Sequence, residues 1–409
     1  MSEPGIDLRN PDLYAGGDYH AVFTKLRHEC PVYWNAGADG SGFWAITKYE
    51  DVVTVSKDPK LFSSARERGG HRIFDENVVS VGASRSNDSL DASMISMDPP
   101  GHARYRKMVT PGFTPPRIQA LEERVRRRVT DVLDRIAPLG ECEFVSSVAA
   151  ELPIQVLAEL FGVPQEDRRR LFEWSNAVIG EDDPELRSSQ EHIDACIEAM
   201  ARYSANLWQE RLEHPGDDLI SMLAHARVDG EPMTMQRYLA TFILLVVAGN
   251  ETTRNSLSGG LIALSENPGE RRKLIDDPSL LPKAANEIVR WVSPVLHMRR
   301  TATDDTEIRG QKIRAGDRVV VWYCSANRDE EVFDEPFRFD VTRETPHLGF
   351  GIGQHFCLGS RLAELQLRVA FGELLGRFPD IVPAGPVRRL RSNFLAGIKS
   401  MPVRFTREG

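Results

Sequence analysis

From Arg104 to about Glu270 the sequence carries helical periodicity almost without a break, and a fold built mainly of sheet cannot accommodate such a run. In PPRIQALEERVRRRVTDVLDRIA the pair Pro115–Pro116 suits a helix start, and Ile118, Leu121, Val125, Val129, Val132 and Ile136 form one apolar stripe. A longer helix is expected from about Thr234 to Ser265. Strand signals stand outside this block. They are PVYW and GFWAIT, next to a helix near 18–29, then TEIRGQKIRAGDRVVVWY with turns at Gly310 and Ala315–Gly316, and the terminal MPVRF. Residues 65–95 are rich in Gly, Ser, Asn and charge and read as one long loop, the kind that serves as a lid or stays disordered. The expectation is a mainly α chain with a smaller β portion, one domain over residues 1–409 with no Pro/Ser/Gly linker.

Composition removes several function classes. A net charge of −9 argues against a nucleic-acid surface, and the runs Arg126–Arg128 and Arg168–Arg170 lie within charged helical stretches, as solvated faces do. The longest apolar run, FILLVVAG from Phe242 to Gly249, is far short of a membrane span. MSEPGIDLRNPDLYAGG has neither the basic start nor the apolar core of an export signal, so the expected location is the cytoplasm. Cys30, Cys142, Cys196, Cys324 and Cys357 are scattered without CxxC or zinc spacing and should be free thiols.

One of those thiols has special surroundings. In FGIGQHFCLG, residues 350–359, Cys357 sits on a glycine-rich loop ahead of the helical SRLAELQLRVAFGELLGRF. A helix N-terminus stabilises a thiolate, and Gly351, Gly353 and Gly359 let backbone amides and a flat ligand come close. His355 is only two residues away, a poor position for the base of a cysteine nucleophile. A thiolate as sole protein ligand suits an iron already held by a porphyrin.

Three further groups stand out. AGNETT, Ala248 to Thr253, interrupts the long helix with Gly249, where something can pack close, and places the acid Glu251 beside the hydroxyl of Thr252 as a plausible proton relay. In NEIVRW, Glu287 and Arg290 are neighbours on one helix face. His102 and Arg106, four apart, with Arg300 and His355, could pair buried carboxylates. Taken singly, each has an ordinary explanation: a buried cysteine before a helix, an exposed Glu-Thr-Thr-Arg face, a surface ion pair, solvated cations. No Walker loop, HExxH, GxSxG or complete GxGxxG is present, so no flavin or nicotinamide domain is fused here and electrons for a redox reaction must arrive from another protein.

Together these residues resemble the cytochrome P450 family of haem-thiolate monooxygenases. FGIGQHFCLG matches the family's FGxGxHxCxG loop at every fixed position, AGNETT its oxygen-activation motif and EIVR its ExxR, in the right order. The resemblance covers essentially the whole chain. It implies a triangular helical prism with haem b between the long central helix and the cysteine-loop helix. It implies Cys357 as the axial ligand of the iron, and Glu251 and Thr252 guiding protons toward the reacting oxygen, with glutamate standing where many members carry aspartate. Cofactor contacts are expected from His102, Arg106, Ala248, Gly249, Arg300, Phe350, Gly351, His355 and Gly359. Glu287 and Arg290 would be structural, with Arg338 completing their network. Leu244, Val247, Ala248, Val295, Leu296 and Leu395 would wall the substrate site, with His297 and the 65–95 loop as its polar exceptions.

The resemblance further implies a monomer without membrane anchor, fed by a ferredoxin and its reductase, with Arg104 and Lys107 receiving the ferredoxin. VRWVSPVLHMRRTA and VWYCSANRDEEVF look most like bacterial hydroxylases of terpenes, sterols and methyl-branched lipids. The implied reaction is hydroxylation of such a hydrophobic small molecule. Alternatives are tailoring of a carrier-bound or peptide-like natural product, peroxide-driven chemistry, and a non-catalytic recruitment protein of the same fold.

Overall fold

The computed structural model describes residues 5–37, 41–74, 93–179, 183–186 and 189–408. Most of the expected 65–95 loop lies outside the described residues. The helices that build the site are α1 (Tyr19–Glu29), α2 (Tyr49–Lys57), α3 (Gly101–Val109), α4 (Glu122–Ile136), α5 (Glu151–Phe161), α6 (Arg168–Ile179), α7 (Gln190–Glu213), α8 (Met235–Glu266), α9 (Leu281–Val292) and α10 (Ser360–Arg377). Among the described residues no helix is long and apolar enough to cross a membrane.

The fold is mainly helical with a smaller sheet part, as the periodicity implies. The long helix α8 runs 32 residues and is capped by the Thr234 side chain, which accepts from Arg237 N–H. The proline-initiated helix is split: Pro115–Ala120 forms one turn and a half, and α4 follows after Leu121. Its expected stripe faces inward, with Val125, Val129, Val132 and Ile136 all buried. They join α5, α8, α9 and α10 in one apolar core. Small residues let those helices approach α8 closely; a Cβ on Gly249 would stand 3.0 Å from Leu157 of α5.

The β portion joins distant parts of the chain. Strands β1 (Val32–Ala36), β2 (Gly42–Ile46), β3 (Phe62–Ser63), β4 (His297–Ala302) and β5 (Arg318–Trp322) form one sheet in the order β1-β2-β5-β4-β3. The β2–β5 pair is parallel, with Trp44 opposite Val319 and Ile46 opposite Val321, and β5 runs antiparallel to β4. HMRRTA, expected to supply Arg300 and a polar His297 at the substrate wall, is thus a central strand. Alternation along it sends Met298 and Arg300 to one face and His297 and Arg299 to the other.

Candidate active site

A cavity of about 230 Å³ lies between α8, α10, the cysteine loop and β4. Cys357, Phe350, Gly351, His355 and Gly359 line it from the loop, and Leu244, Ala248, Gly249 and Thr252 from α8. His102 and Arg106 enter from α3, Val295 and Arg300 from the β4 side. Thirteen residues expected at a haem or substrate site therefore converge on one space.

The cysteine loop is held by its own backbone and by two neighbouring elements. Cys357 N–H donates to Phe350 O at 2.8 Å, closing the loop ahead of α10. Gly353 has φ 76°, and a Cβ there would strike Ser56 O of α2, so this turn admits no side chain. Arg106 donates to Gln354 O at 3.2 Å and Phe356 O at 2.6 Å, strapping α3 to the loop. The expected depression of the Cys357 thiol does not occur. Burial pushes it above its ordinary value and outweighs the Gly359 amide and Arg106, which pull the other way. A thiolate here forms when a metal cation replaces the proton.

Buried cations surround the same space. Arg300 is 4% exposed, its pKa pulled down by burial, and its Nη1 donates to Arg299 O at 2.7 Å. The rings of His102 and His355 lie 4.4 Å apart, and the Nε2 atom of each is buried without a partner. Burial, then Arg106, pushes His102 down to about 4; burial, then Arg300, pushes His355 down to about 2. Both imidazoles are neutral near pH 7 and can present an N–H. A buried arginine, the half-buried Arg106 and orphaned imidazole nitrogens around an otherwise apolar cavity call for a ligand that brings carboxylates. With Cys357 lining the same cavity, the donor set fits haem, whose propionates would take Arg106, Arg300, His102 and His355.

Other expected residues fall elsewhere. Val247 is off the cavity because α8 faces it with two adjacent rows, Leu244–Ala248–Thr252–Ser256 and Leu245–Gly249–Thr253, and Val247 lies beyond the first row on the side away from the second. Leu296 and His297 are fully buried in the N-terminal core, His297 against Trp322 with Nδ1 3.0 Å from Asn393 O. Leu395 stands behind the wall, bridged to Val295. Glu251 is 1% exposed and does not line the cavity, so AGNETT is no solvent-exposed face. Its raised pKa comes from burial, which Arg254 opposes. Thr252 Oγ1 donates to Ala248 O at 2.8 Å, one turn back, as a mid-helix threonine can.

The Glu287–Arg290 pair is buried and bidentate, with distances of 2.6 and 2.7 Å. Arg338 does not complete it: that side chain is exposed and pairs with Glu335, and only its backbone carbonyl accepts from Arg290. The third charge is Arg343, whose Nε lies 3.4 Å from Glu287 Oε2. Sequence reasoning also missed Met94, Phe113, Leu157, Met298, Tyr323, Ser256 and Gln366 on the cavity wall. Continuing the four-residue row past Thr252 finds Ser256, and strand alternation from Arg300 finds Met298; the rest carry no local signal.

A cavity lined by one thiol, two arginines and two neutral imidazoles fits a protein that holds haem through a thiolate. The Cytochrome P450 family model matches residues 150–388. The chain is 47% identical to linalool 8-monooxygenase of Pseudomonas putida over 97% of this chain and 98% of that protein. It is 40% identical to methyl-branched lipid omega-hydroxylase of Mycobacterium bovis, over 97% and 94%, and 40% identical to steroid C26-monooxygenase of Rhodococcus jostii, over 98% and 84%. A Mycobacterium marinum cytochrome P450 solved in complex with pseudoionone superimposes with a TM-score of 0.90 at 36% identity over 99% of each chain. This chain belongs to the cytochrome P450 family, and it is a monooxygenase of that family.

Proposed function

We propose that this enzyme hydroxylates an unactivated C–H bond of a terpenoid, steroid or branched lipid, using haem b ligated by Cys357 and electrons from a separate ferredoxin and reductase. The observation that carries the reading is that Cys357 lines one cavity together with Ala248 and Thr252, with apolar side chains making up most of the rest of its wall. Bound haem supplies the redox chemistry of dioxygen, and a thiolate ligand favours O–O cleavage. The chain's own residues do the rest. Cys357 gives up its proton on coordination. Arg106, Arg300, His102 and His355 anchor the carboxylates. Leu244, Val295, Met298 and Phe113 exclude water and present the substrate by shape, offering few orienting polar groups. Thr252 Oγ1 faces the cavity as the terminal hydroxyl of a proton route that Glu251 feeds.

The substrate class is supported by this apolar wall and by the names of the relatives. The electron donor is supported by the surface of the cysteine loop and α3, where Phe356 is 42% exposed and a groove is lined by Arg106, Lys107, Gly353 and Gln354. Arg104 is also exposed there and pairs with Asp229. This basic and aromatic surface suits an acidic protein carrier.

The test is the absorption spectrum of the reduced protein under carbon monoxide, for wild type and Cys357→Ala. A strongly red-shifted Soret band, lost in the variant, is expected; a band unmoved by the substitution would overturn the ligand assignment. Titrating linalool, a sterol and a branched fatty acid against the oxidised band then ranks substrates. Turnover with ferredoxin should fall on reversing Lys107 and Arg104 together, while binding of the substrate does not change.

A further inference from the structure

A second space lies within the helical core, apart from the reaction cavity. It measures about 10 Å³, room for one small molecule. Helices α4, α5, α8 and α10 enclose it with Val132, Leu152, Leu257, Ala370 and Phe371, together with Val148 from the segment just before α5. All ten residues of its wall are valine, leucine, alanine or phenylalanine, and all are buried.

Protein interiors are packed as densely as organic crystals, and side chains facing a void forfeit dispersion energy, so an open space needs a local cause. Two are present. Val145–Ala149 is wound as a π-helix, whose wider turn steps Val148 out of the rows that α5 then keeps. Phe371 is seated against Gly260 of α8, where a Cβ would stand 2.7 Å from its ring, and the ring fills that gap instead of the void.

The chemistry of the wall selects the occupant. A buried water needs about two to four polar partners, and these side chains offer none. A charged or hydrogen-bonding ligand is excluded for the same reason. An apolar molecule of a few atoms, held by dispersion, is what the space can take. The monooxygenase reaction consumes one such molecule, dioxygen. The void is also placed to serve that reaction. Helix α5 lines the void with Leu152 and the reaction cavity with Leu157, α8 does so with Leu257 and Ser256, and α10 with Ala370 and Gln366. Gln366 and Ala370 are four apart, so the two spaces meet one face of α10 a single turn from each other.

We propose that this void is a dioxygen-binding site, a dry antechamber that holds the gas and releases it to the reaction cavity between α8 and α10. It is a binding step alone, in which no bond forms or breaks. It rests on the monooxygenase activity and is independent of which organic substrate the enzyme takes.

The first readout is xenon NMR on the haem-loaded enzyme, with xenon as an apolar probe and phenylimidazole ligating the iron so that the reaction cavity is filled. Val148→Ile adds a methylene to the wall of the void and Val132→Ala opens it; neither residue lines the reaction cavity. Wild type should show one saturable xenon site that phenylimidazole does not displace. Val148→Ile should weaken that site about fivefold, and Val132→Ala should leave it at least as tight. The second readout is the rate at which the reduced enzyme, free of phenylimidazole, takes up dioxygen in stopped flow. That rate should fall about twofold in Val148→Ile. Saturating xenon should slow wild type by a similar factor and leave Val148→Ile unaffected, a comparison that uses the native wall as its own reference. The phenylimidazole affinity of each variant should match wild type, showing the haem site intact. Three outcomes would each overturn the proposal: no xenon site once phenylimidazole is bound, a site indifferent to Val148→Ile, or dioxygen uptake that neither Val148→Ile nor xenon slows.

Discussion

Arg290 spends all five of its N–H donors. Two go to the Glu287 carboxylate, and the others go to the carbonyls of Asn327 at 2.8 Å, Pro336 at 3.0 Å and Arg338 at 3.2 Å. Glu287 in turn accepts Asp340 N–H at 2.9 Å. The pair is a staple fixing the irregular stretch before the cysteine loop onto α9. Asn327 extends it, accepting Leu348 N–H at 2.7 Å just ahead of that loop. The three-residue spacing of Glu287 and Arg290 was legible because helix geometry makes such residues neighbours. The third charge was not, because Arg338 and Arg343 sit in a stretch with no period, and only tertiary contact distinguishes them. Glu287→Gln should cost about 3–5 kcal/mol, since it strands a buried guanidinium, and Arg290→Lys should cost nearly as much, because three donors cannot replace five. Arg338→Ala should stay within about 1 kcal/mol, since the network uses that residue's carbonyl and not its side chain. Urea unfolding of the three variants, with the fraction retaining haem, checks the contrast. An Arg338→Ala variant as damaged as Arg290→Lys would restore the original assignment.

At the scale of elements, helices were read to within a residue or two, because their periodicity is local and their caps are chemical. The expected Thr234–Ser265 became Met235–Glu266, and 18–29 became Tyr19–Glu29. What failed was the assignment of faces. Choosing Val247, Leu296 and Leu395 as substrate walls relied on apolarity, which core and cavity share. Direction decides instead: one residue along a helix turns a side chain by about 100°, and one along a strand turns it to the opposite face. The row on α8 gives this consequence a number. On the proposed terpenoid reading, Leu244→Ala should weaken binding of linalool as the probe about tenfold, the loss of roughly 1.4 kcal/mol of apolar contact with the ligand. Val247→Ala, facing away from the cavity, should change it by less than about twofold. Optical titration of both variants against the haem band measures this, with thermal unfolding recorded alongside so that lost stability is not mistaken for lost affinity. Equal weakening by both would place Val247 on the ligand.

The least legible feature belongs to the whole molecule. The sheet pairs Trp44 with Val319 and Phe62 with Ala302, partners that no local pattern connects. That sheet buries His297 completely, between Trp322 and Phe394, with Arg72 and His71 as its basic neighbours. Burial, then Arg72, pushes His297 down to about 3. His347 is pushed down to about 4 by burial and Arg290, and His20 is lowered by burial and then Arg328. The sign follows from the difference between the two states. Above about pH 6.5 these histidines are neutral both folded and unfolded, so they make no difference to stability. Below it the unfolded chain takes up protons that the native state refuses, and stability falls as the pH is lowered toward 4. For His297 alone the loss is about 1.4 kcal/mol between about pH 7.5 and 5.5. His297→Phe keeps a ring against Trp322 and Phe394 while removing the titration, so its stability should decline less steeply. Unfolding free energies measured across that range should show a mean slope smaller by about half a proton than in wild type, nearing one proton at its acid end. A slope identical to wild type would mean that His297 is protonated in the native sheet, and the acid sensitivity of the fold would then rest on His20 and His347.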